Sequence, residues 1–401
     1  MPSLPASRPG AAPRAGRWRA ALRRAVAEGL AGLRAILPAL ALGAALPAGA
    51  GLALPSAARA EVVLHDITGR EVRLPAPATR LLIDDGRFLV ALALISPDPV
   101  AALAAWPHDV NRIGRQTYAD FLAKFPALAG LPKVASSAGA LSVEQVLAAR
   151  PDLAVFSLGA QPSAEQRATL EAAGIPVVVI DFFNHPLANT GPSLALLGAA
   201  TGHGAAAEAF LAFRDARLAA IRSRLAAAPG AAPRVFLEPH AGQTGDCCNS
   251  PGRGNVGELI EAAGGSNIGA AVIPRAFGKL NLEYVIAQDP QVYIATGGSH
   301  MAGTAGLTIG PEFTADEARR TLAGLAARPG FATLAAMRDH RVHGLSHQIL
   351  NSPLDVLTVQ VLAAWLRPEL FGEPEAEAVR QEINARFLAI PLRGPDWIDL
   401  D

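Results

Sequence analysis

Cysteine is nearly absent: the 401 residues contain two, side by side at Cys247 and Cys248. That excludes a multi-bridge scaffold and a four-cysteine zinc site. Charge is scarce as well, at 17% of residues, with Lys+Arg 35 balancing Asp+Glu 35. A chain that is 51% hydrophobic and carries no net charge is neither intrinsically disordered nor shaped to meet a phosphate backbone, so no nucleic-acid partner is expected. Catalytic signatures are missing too: the sequence has no P-loop, no G-x-S-x-G and no H-E-x-x-H. Gly252-Arg-Gly254-Asn-Val-Gly257 matches G-x-G-x-x-G, but the expected strand ends some fourteen residues before it. A dinucleotide site needs that strand immediately upstream, so this reading fails. No catalytic residue and no resident cofactor or metal is assigned. An exported hydrolase stays the rival class, without a local nucleophile–base signature to support it.

The zero charge hides an asymmetry. Residues 1–60 hold eight arginines and one acid, Glu28, which leaves 27 basic and 34 acidic residues in the remainder, a net of about −7. The basic start runs into the uncharged stretch Ile36–Leu54 and then Ala58-Arg59-Ala60. Positive, apolar and small-x-small segments in that order make a secretory signal, cleaved after Ala60. Nineteen apolar residues are also just long enough for a membrane anchor, although Pro38 and Pro47 make a poor helix. Arg23-Arg24 hints at twin-arginine export, with the general secretory route the alternative. The mature chain, residues 61–401, is expected outside the cytoplasm.

Beyond the leader, short β-like runs alternate with helical stretches. Leu81–Asp84, Leu153–Phe156 and Val177–Ile180 read as strands; Phe88–Ile95, Ser142–Ala149 and Ser163–Ala173 read as helices. From about Ser193 to Ala228 no strand signal occurs, and Gly202 and Gly204 mark the weak first turns of the helix expected there. The alternation then resumes with strands Val235–Leu237, Val292–Ala295 and Arg341–Gly344 and helices Gly257–Ala263 and Leu282–Ala287, and the tail from Pro353 reads as helices. The expected class is α/β: two α/β lobes with mostly parallel sheets, joined by one long interlobe helix, with a ligand cleft between the lobes. The corresponding segments are 1–60 (signal peptide), 61–190 (N-terminal lobe), 191–228 (connecting helix) and 229–401 (C-terminal lobe with a helical tail).

An internal repeat supports two similar lobes. Leu141–Pro151 aligns without gaps on Leu280–Pro290, with Leu, Glu, Val, Ala and Pro identical at five of eleven positions. Each copy leads into a strand and a glycine-containing turn. Two such lobes would face each other with the carboxyl ends of their strands, where α/β sheets hold ligands.

DITGREVRLPAPATRLLIDD after the leader, the Glu144 and Glu283 units of the repeat, LIEAAGGSNIGA at 259–270 and the tail NSPLDVLTVQVLAAWLRPELFG together resemble the periplasmic substrate-binding proteins of ABC importers for iron–siderophore, haem and cobalamin. The resemblance covers most of 61–365. It implies two lobes bridged by a rigid helix, modest closure on the ligand, and a monomer that delivers a metal chelate to a permease dimer in the inner membrane. It also implies that Glu144 and Glu283 dock onto permease arginines; the competing reading is two solvated acids at helix starts. A ferric siderophore is the expected ligand. Cobalamin and haem are the alternatives, with molybdate-type oxyanions or another chelated metal further back.

Loops just after strands supply the candidate ligand contacts. Arginine pairs with anionic oxygens and aromatic rings cover apolar faces of a chelate. The candidates are Arg87, Trp106, Arg112, Arg115, Tyr118, Phe182, Arg275, His300 and His347; for each arginine, an ordinary surface charge or an ion pair within the lobe is the alternative. Trp106 and Tyr118 are favoured because WPHDVNRIGRQTY has no regular periodicity. Cys247-Cys248 reads as a vicinal disulfide or a dithiol. His340 and His343 would point to opposite faces of a strand.

Overall fold

The structure is a computed structural model that describes residues 61–245 and 247–400. The leader and its Ala60 cleavage site lie outside the described residues. The strands, in chain order, are β1 (Val62–His65), β2 (Glu71–Leu74), β3 (Leu81–Ile83), β4 (Leu103–Ala105), β5 (Leu153–Ser157), β6 (Val177–Ile180), β7 (Arg234–Glu238), β8 (Asn249–Pro251), β9 (Ser266–Asn267), β10 (Phe277–Lys279), β11 (Val292–Gly297), β12 (Val342–Ser346) and β13 (Trp397–Asp399).

The continuous apolar runs become central strands. Leu-Leu-Ile of β3, Val-Val-Val-Ile of β6 and Val-Tyr-Ile-Ala-Thr-Gly of β11 are buried at every residue, as strands covered on both faces must be. One sheet has the order β4-β3-β5-β6, all parallel. The other has the order β13-β12-β11-β7-β9, parallel except for β13, which runs antiparallel to β12. With β13 set aside, both sheets follow one scheme. The first strand is central, the second lies to one side of it, and the third and fourth lie to the other. In each sheet the order therefore reverses between the first and third strands, β3 and β5 in one lobe, β7 and β11 in the other. A crevice opens at the carboxyl ends there.

The repeat seen in the sequence is a repeat of structure. Val143–Ala149 starts at Ser142, whose hydroxyl accepts from Gln145 N, and Leu282–Gln288 starts at Asn281, whose side chain accepts from Tyr284 N. Both helices end on a left-handed residue, Arg150 (φ 47°) and Asp289 (φ 39°), directly before a proline that opens the path to β5 or β11.

Two expectations need correction. Residues 191–228 are not one helix. A helix Pro186–Thr201 ends at Gly202 (φ 75°), and a second, Gly204–Ala227, follows. Gly202 N bonds to Ala199 O and His203 N to Gly198 O, the two hydrogen bonds of a Schellman stop. Gly202 thus closes a helix instead of marking a weak first turn. The tail is not wholly helical either. After Asp355–Leu366, buried along its whole length, and Glu373–Arg386, the chain returns as β13.

The glycine motif also departs from the expectation, because β8 does precede Gly252 directly. That strand belongs to a two-stranded antiparallel ribbon with β10. A Cβ on Gly252 would lie 2.2 Å from Arg275 O, and one on Gly257 would lie 2.4 Å from Gly252 O. The glycines serve close packing, and the local N–H groups are already used: Gly252 N reaches Ala276 O and Asn255 N reaches Asn184 O.

The last of these bonds crosses between lobes. Beside it Asn255 Nδ2 donates to Phe183 O and to Asn351 Oδ1 (2.8 Å), and His185 Nδ1 lies 2.6 Å from Glu258 Oε1. Deeper in, Arg214 of the 24-residue helix donates through Nε (2.9 Å) and Nη2 (2.5 Å) to Asp355, with both side chains buried. One apolar core runs through the first sheet, the linking helices, β7 and β11, and the helix Asp355–Leu366.

Candidate functional site

Two adjoining cavities of about 200 and 280 Å³ lie at the facing strand ends, and Arg87, Arg112, Phe183 and Asn351 line both. The wall from the first sheet follows from the sequence Asp84-Asp85-Gly86-Arg87 at the end of β3. Asp85 is buried, and its two carboxylate oxygens accept from Arg87 Nε (2.9 Å) and Nη2 (2.6 Å), Ser137 Oγ (2.9 Å) and Arg112 Nη1. Burial works to raise the Asp85 carboxyl, but the Arg87 and Arg112 charges outweigh it and hold it well below the usual range. Asp84, next door, accepts from Ser157 N (2.9 Å) and Ser157 Oγ (3.0 Å). Burial, helped by the charge on Asp85, still pushes it up to about 7. Two guanidiniums are thus fixed in place before any ligand arrives, clamped by Asp85 and, for Arg112, by Asp109 as well (3.4 Å).

The opposite wall carries histidines at the ends of three parallel strands: His240 after β7, His300 after β11 and His347 after β12, all lining the larger cavity. His240 adopts a left-handed backbone (φ 50°), and its N–H donates to Thr296 Oγ1 (3.2 Å). The same hydroxyl lies 3.1 Å from His347 Nδ1. His240 Nδ1 and His300 Nε2 are 2.8 Å apart, and the His240 and His347 ring centres 4.0 Å. Burial, then the neighbouring charges of His300 and Arg87, lowers His240 to about 4. Burial lowers His300, and it holds His347 well below 6.5 with help from the other two rings. All three imidazoles are therefore neutral at pH 7, with lone pairs to offer. Among the described residues no three His, Cys, Asp or Glu already stand in metal-ligand geometry.

The sequence candidates divide. Arg87, Arg112, Phe182, His300 and His347 line a cavity. Trp106 does not: it is fully buried in the core, stacked on His108 with ring centres 4.6 Å apart. The irregular segment that favoured it begins only after β4 has carried its ring inward. Tyr118 packs on the same core and tilts against Trp106 (5.8 Å). Arg115 and Arg275 are exposed and line neither cavity. Phe182 is buried edge-on to Phe88, and it is Phe183 that faces both cavities. The sequence reading missed Phe183, His240 and Asn351. A signal for His240 was present, since it and the two assigned histidines each stand one to three residues beyond a strand end. Cys247 and Cys248 form a vicinal disulfide with Cys248 in the core of the second lobe, outside both cavities. His343, on β12, lies 2.6 Å from Asp399 of β13 and lines neither cavity. Glu144 and Glu283 are both exposed in the first turns of their helices.

A family model described as periplasmic binding protein matches residues 92–348. Among solved structures, a TroA-like periplasmic binding protein, FepB, from Veillonella parvula is similar at 24% identity and TM-score 0.76, covering 85% of this chain and 100% of that one. A molybdate-binding periplasmic protein, MolA, from Haemophilus influenzae shares 16% identity at TM-score 0.63, covering 83% and 99%. A periplasmic heme-binding protein from Pseudomonas aeruginosa shares 23% identity at TM-score 0.54, covering 80% and 98%. No curated protein matches the chain. Among the described residues no helix is long and apolar enough to cross a membrane.

Proposed function

Because the chain belongs to the periplasmic binding protein family and is the solute-binding component of an ABC importer, we propose that its cargo is a metal chelate, a ferric siderophore, held between the two walls. The observation that carries this reading is the pairing of Arg87 and Arg112, preset on Asp85, with an imidazole wall across the same cavity. Guanidiniums suit the carboxylate or carbonyl oxygens of a chelate, and the Phe183 ring suits its apolar backbone. The family is one of receptors rather than enzymes. Capture requires only that the closed form bind more tightly than the open one.

On this reading the leader is removed after Ala60 and the mature monomer meets the permease dimer through Glu144 and Glu283. The two carboxylates occupy matching places in the two lobes, which suits a partner with two matching basic sites. Exposed ion pairs contribute about 0–1 kcal/mol each, so their effect falls on orientation and encounter rate.

The test is a calorimetric titration of the purified protein with ferric hydroxamate, catecholate and citrate complexes, with haem and cobalamin alongside. One-to-one binding of a ferric complex at a micromolar constant or tighter, about −8 kcal/mol, is expected. Silence toward every ferric complex removes the iron reading. For docking, the double variant Glu144→Lys/Glu283→Lys should abolish uptake in cells while ligand affinity stays within twofold; unaltered uptake removes the docking role.

A further inference from the structure

The imidazole wall has a geometry that ordinary hydrogen bonding does not require. His240, His300 and His347 come from three separate strand ends of one sheet, yet their rings gather on one cavity, with centres 4.0 Å (His240–His347), 4.9 Å (His240–His300) and 5.9 Å (His300–His347) apart. Imidazole nitrogens bound to one metal ion at about 2.0–2.1 Å stand roughly 3 Å from each other. His240 Nδ1 and His300 Nε2 are already 2.8 Å apart, sharing one hydrogen bond. That separation matches two adjacent ligands of one metal ion; the ion would sit to the side of the N···N line, and both rings would turn to aim their lone pairs at it.

The supporting contacts fit the same purpose. Thr296 is fully buried on β11, and its hydroxyl both receives His240 N–H and engages His347 Nδ1. It therefore fixes one histidine's backbone and, through Nδ1, the other's ring; Nε2 is the His347 nitrogen that this contact leaves unused. Metal-ligating histidines are commonly held in this way through the second ring nitrogen. Across the cavity stand Arg87, Arg112 and Asn111, donors for a chelate's oxygens. The cavity the histidines line, about 280 Å³, adjoins the one of about 200 Å³, and the pair has room for a small chelate.

We propose that His240, His300 and His347 bind the cargo's metal ion directly, so that the preferred cargo is a compact chelate with at least two coordination positions left open. The inference rests on the solute-binding reading above and narrows its substrate class. Imidazole suits iron, nickel, copper and zinc, so the open positions rather than the element set the preference. A fully wrapped six-donor complex presents no position for the histidines and is disfavoured.

The test uses defined probes on tag-free protein. Nickel nitrilotriacetate leaves two positions open; nickel ethylenediaminetetraacetate leaves none. Ferric nitrilotriacetate runs in parallel as a second open complex, and a ferric trihydroxamate wrapped by six oxygen donors as the closed ferric one. Calorimetry should give one-to-one binding of the open complexes at micromolar constants, with the closed complexes at least about 100-fold weaker. Nickel ligand-field absorption should shift on binding as nitrogen replaces water. His300→Ala and His240→Gln should each weaken the open complexes by about 30-fold or more and abolish the spectral shift, with melting temperatures near wild type. His65→Ala, an exposed position on β1, should change nothing. If open and closed complexes bind alike, if the open complexes fail while a ferric siderophore binds, or if folded His300→Ala retains full affinity, direct ligation is wrong and the solute-binding reading survives. If neither these probes nor the ferric panel binds, the metal-chelate reading itself falls and takes the inference with it.

Discussion

On one wall of the cleft, Asp85 beyond β3 clamps Arg87 and Arg112. On the other, at the matching position beyond β7, stands His240, with His300 and His347 beyond the next two parallel strands of that sheet. The sheets share a strand order, so the same backbone places fixed charge on one side and neutral lone pairs on the other. The difference teaches that the repeat determines where a ligand contact stands, while the residue at that place determines what the contact does. The charged wall needs a buried counter-ion to exist at all. The imidazole wall needs only burial, which keeps its rings unprotonated.

Removing the counter-ion gives the largest expected effect. Asp85→Ala leaves two guanidiniums facing one pocket and should cost about 3–5 kcal/mol in urea unfolding. His300→Ala on the facing wall should cost under about 1 kcal/mol, since its ring is only partly buried. Equal losses would erase the contrast between the walls.

The next effect is in pH. Burial pushes Asp84 up to about 7, above its value in the unfolded chain. Between roughly pH 4 and 7 the folded protein keeps a proton that the unfolded chain has released, so this stabilisation is complete at low pH and is lost as pH rises through 7. Asp84→Asn should remove that loss. The stability difference between variant and wild type should then change by on the order of 2–4 kcal/mol from pH 5 to pH 8. A pH-independent difference would show that Asp84 is ionised in the fold. The smallest effect concerns Phe183, which lines both cavities. Phe183→Ala should weaken the captured chelate about tenfold, with little change in melting temperature; a large loss of stability would make it a core residue like Phe182.

The central strands and most flanking helices were legible in the sequence because continuous apolar runs such as Val177–Ile180 have nowhere to go but a doubly covered sheet. The short antiparallel elements were not. β8, β10 and β13 have three residues each, and their pairing is dictated by neighbours distant in the chain. The Schellman stop at Gly202 was visible as a glycine but was assigned to the wrong side of a helix boundary. At the site, the strand-end rule located the loops but not the side chains within them. Phe182 and Phe183 are neighbours whose roles are separated only by the direction of the turn, and Trp106 is turned inward by β4. His240 escaped because selection leaned on arginine and aromatic chemistry, whereas the grouping of three imidazoles depends on the lateral order of β7, β11 and β12.

The inward turn of Trp106 has an optical consequence. Trp365 is equally remote, stacked on His343 at 4.5 Å, and Trp397 lies beneath Arg380. None of these three indoles borders the cleft cavities. Intrinsic emission will therefore report a coloured cargo through energy transfer across the lobe and will stay dark to a colourless one. A fluorescent reporter for this receptor has to be built into the walls, for instance with Phe183→Trp.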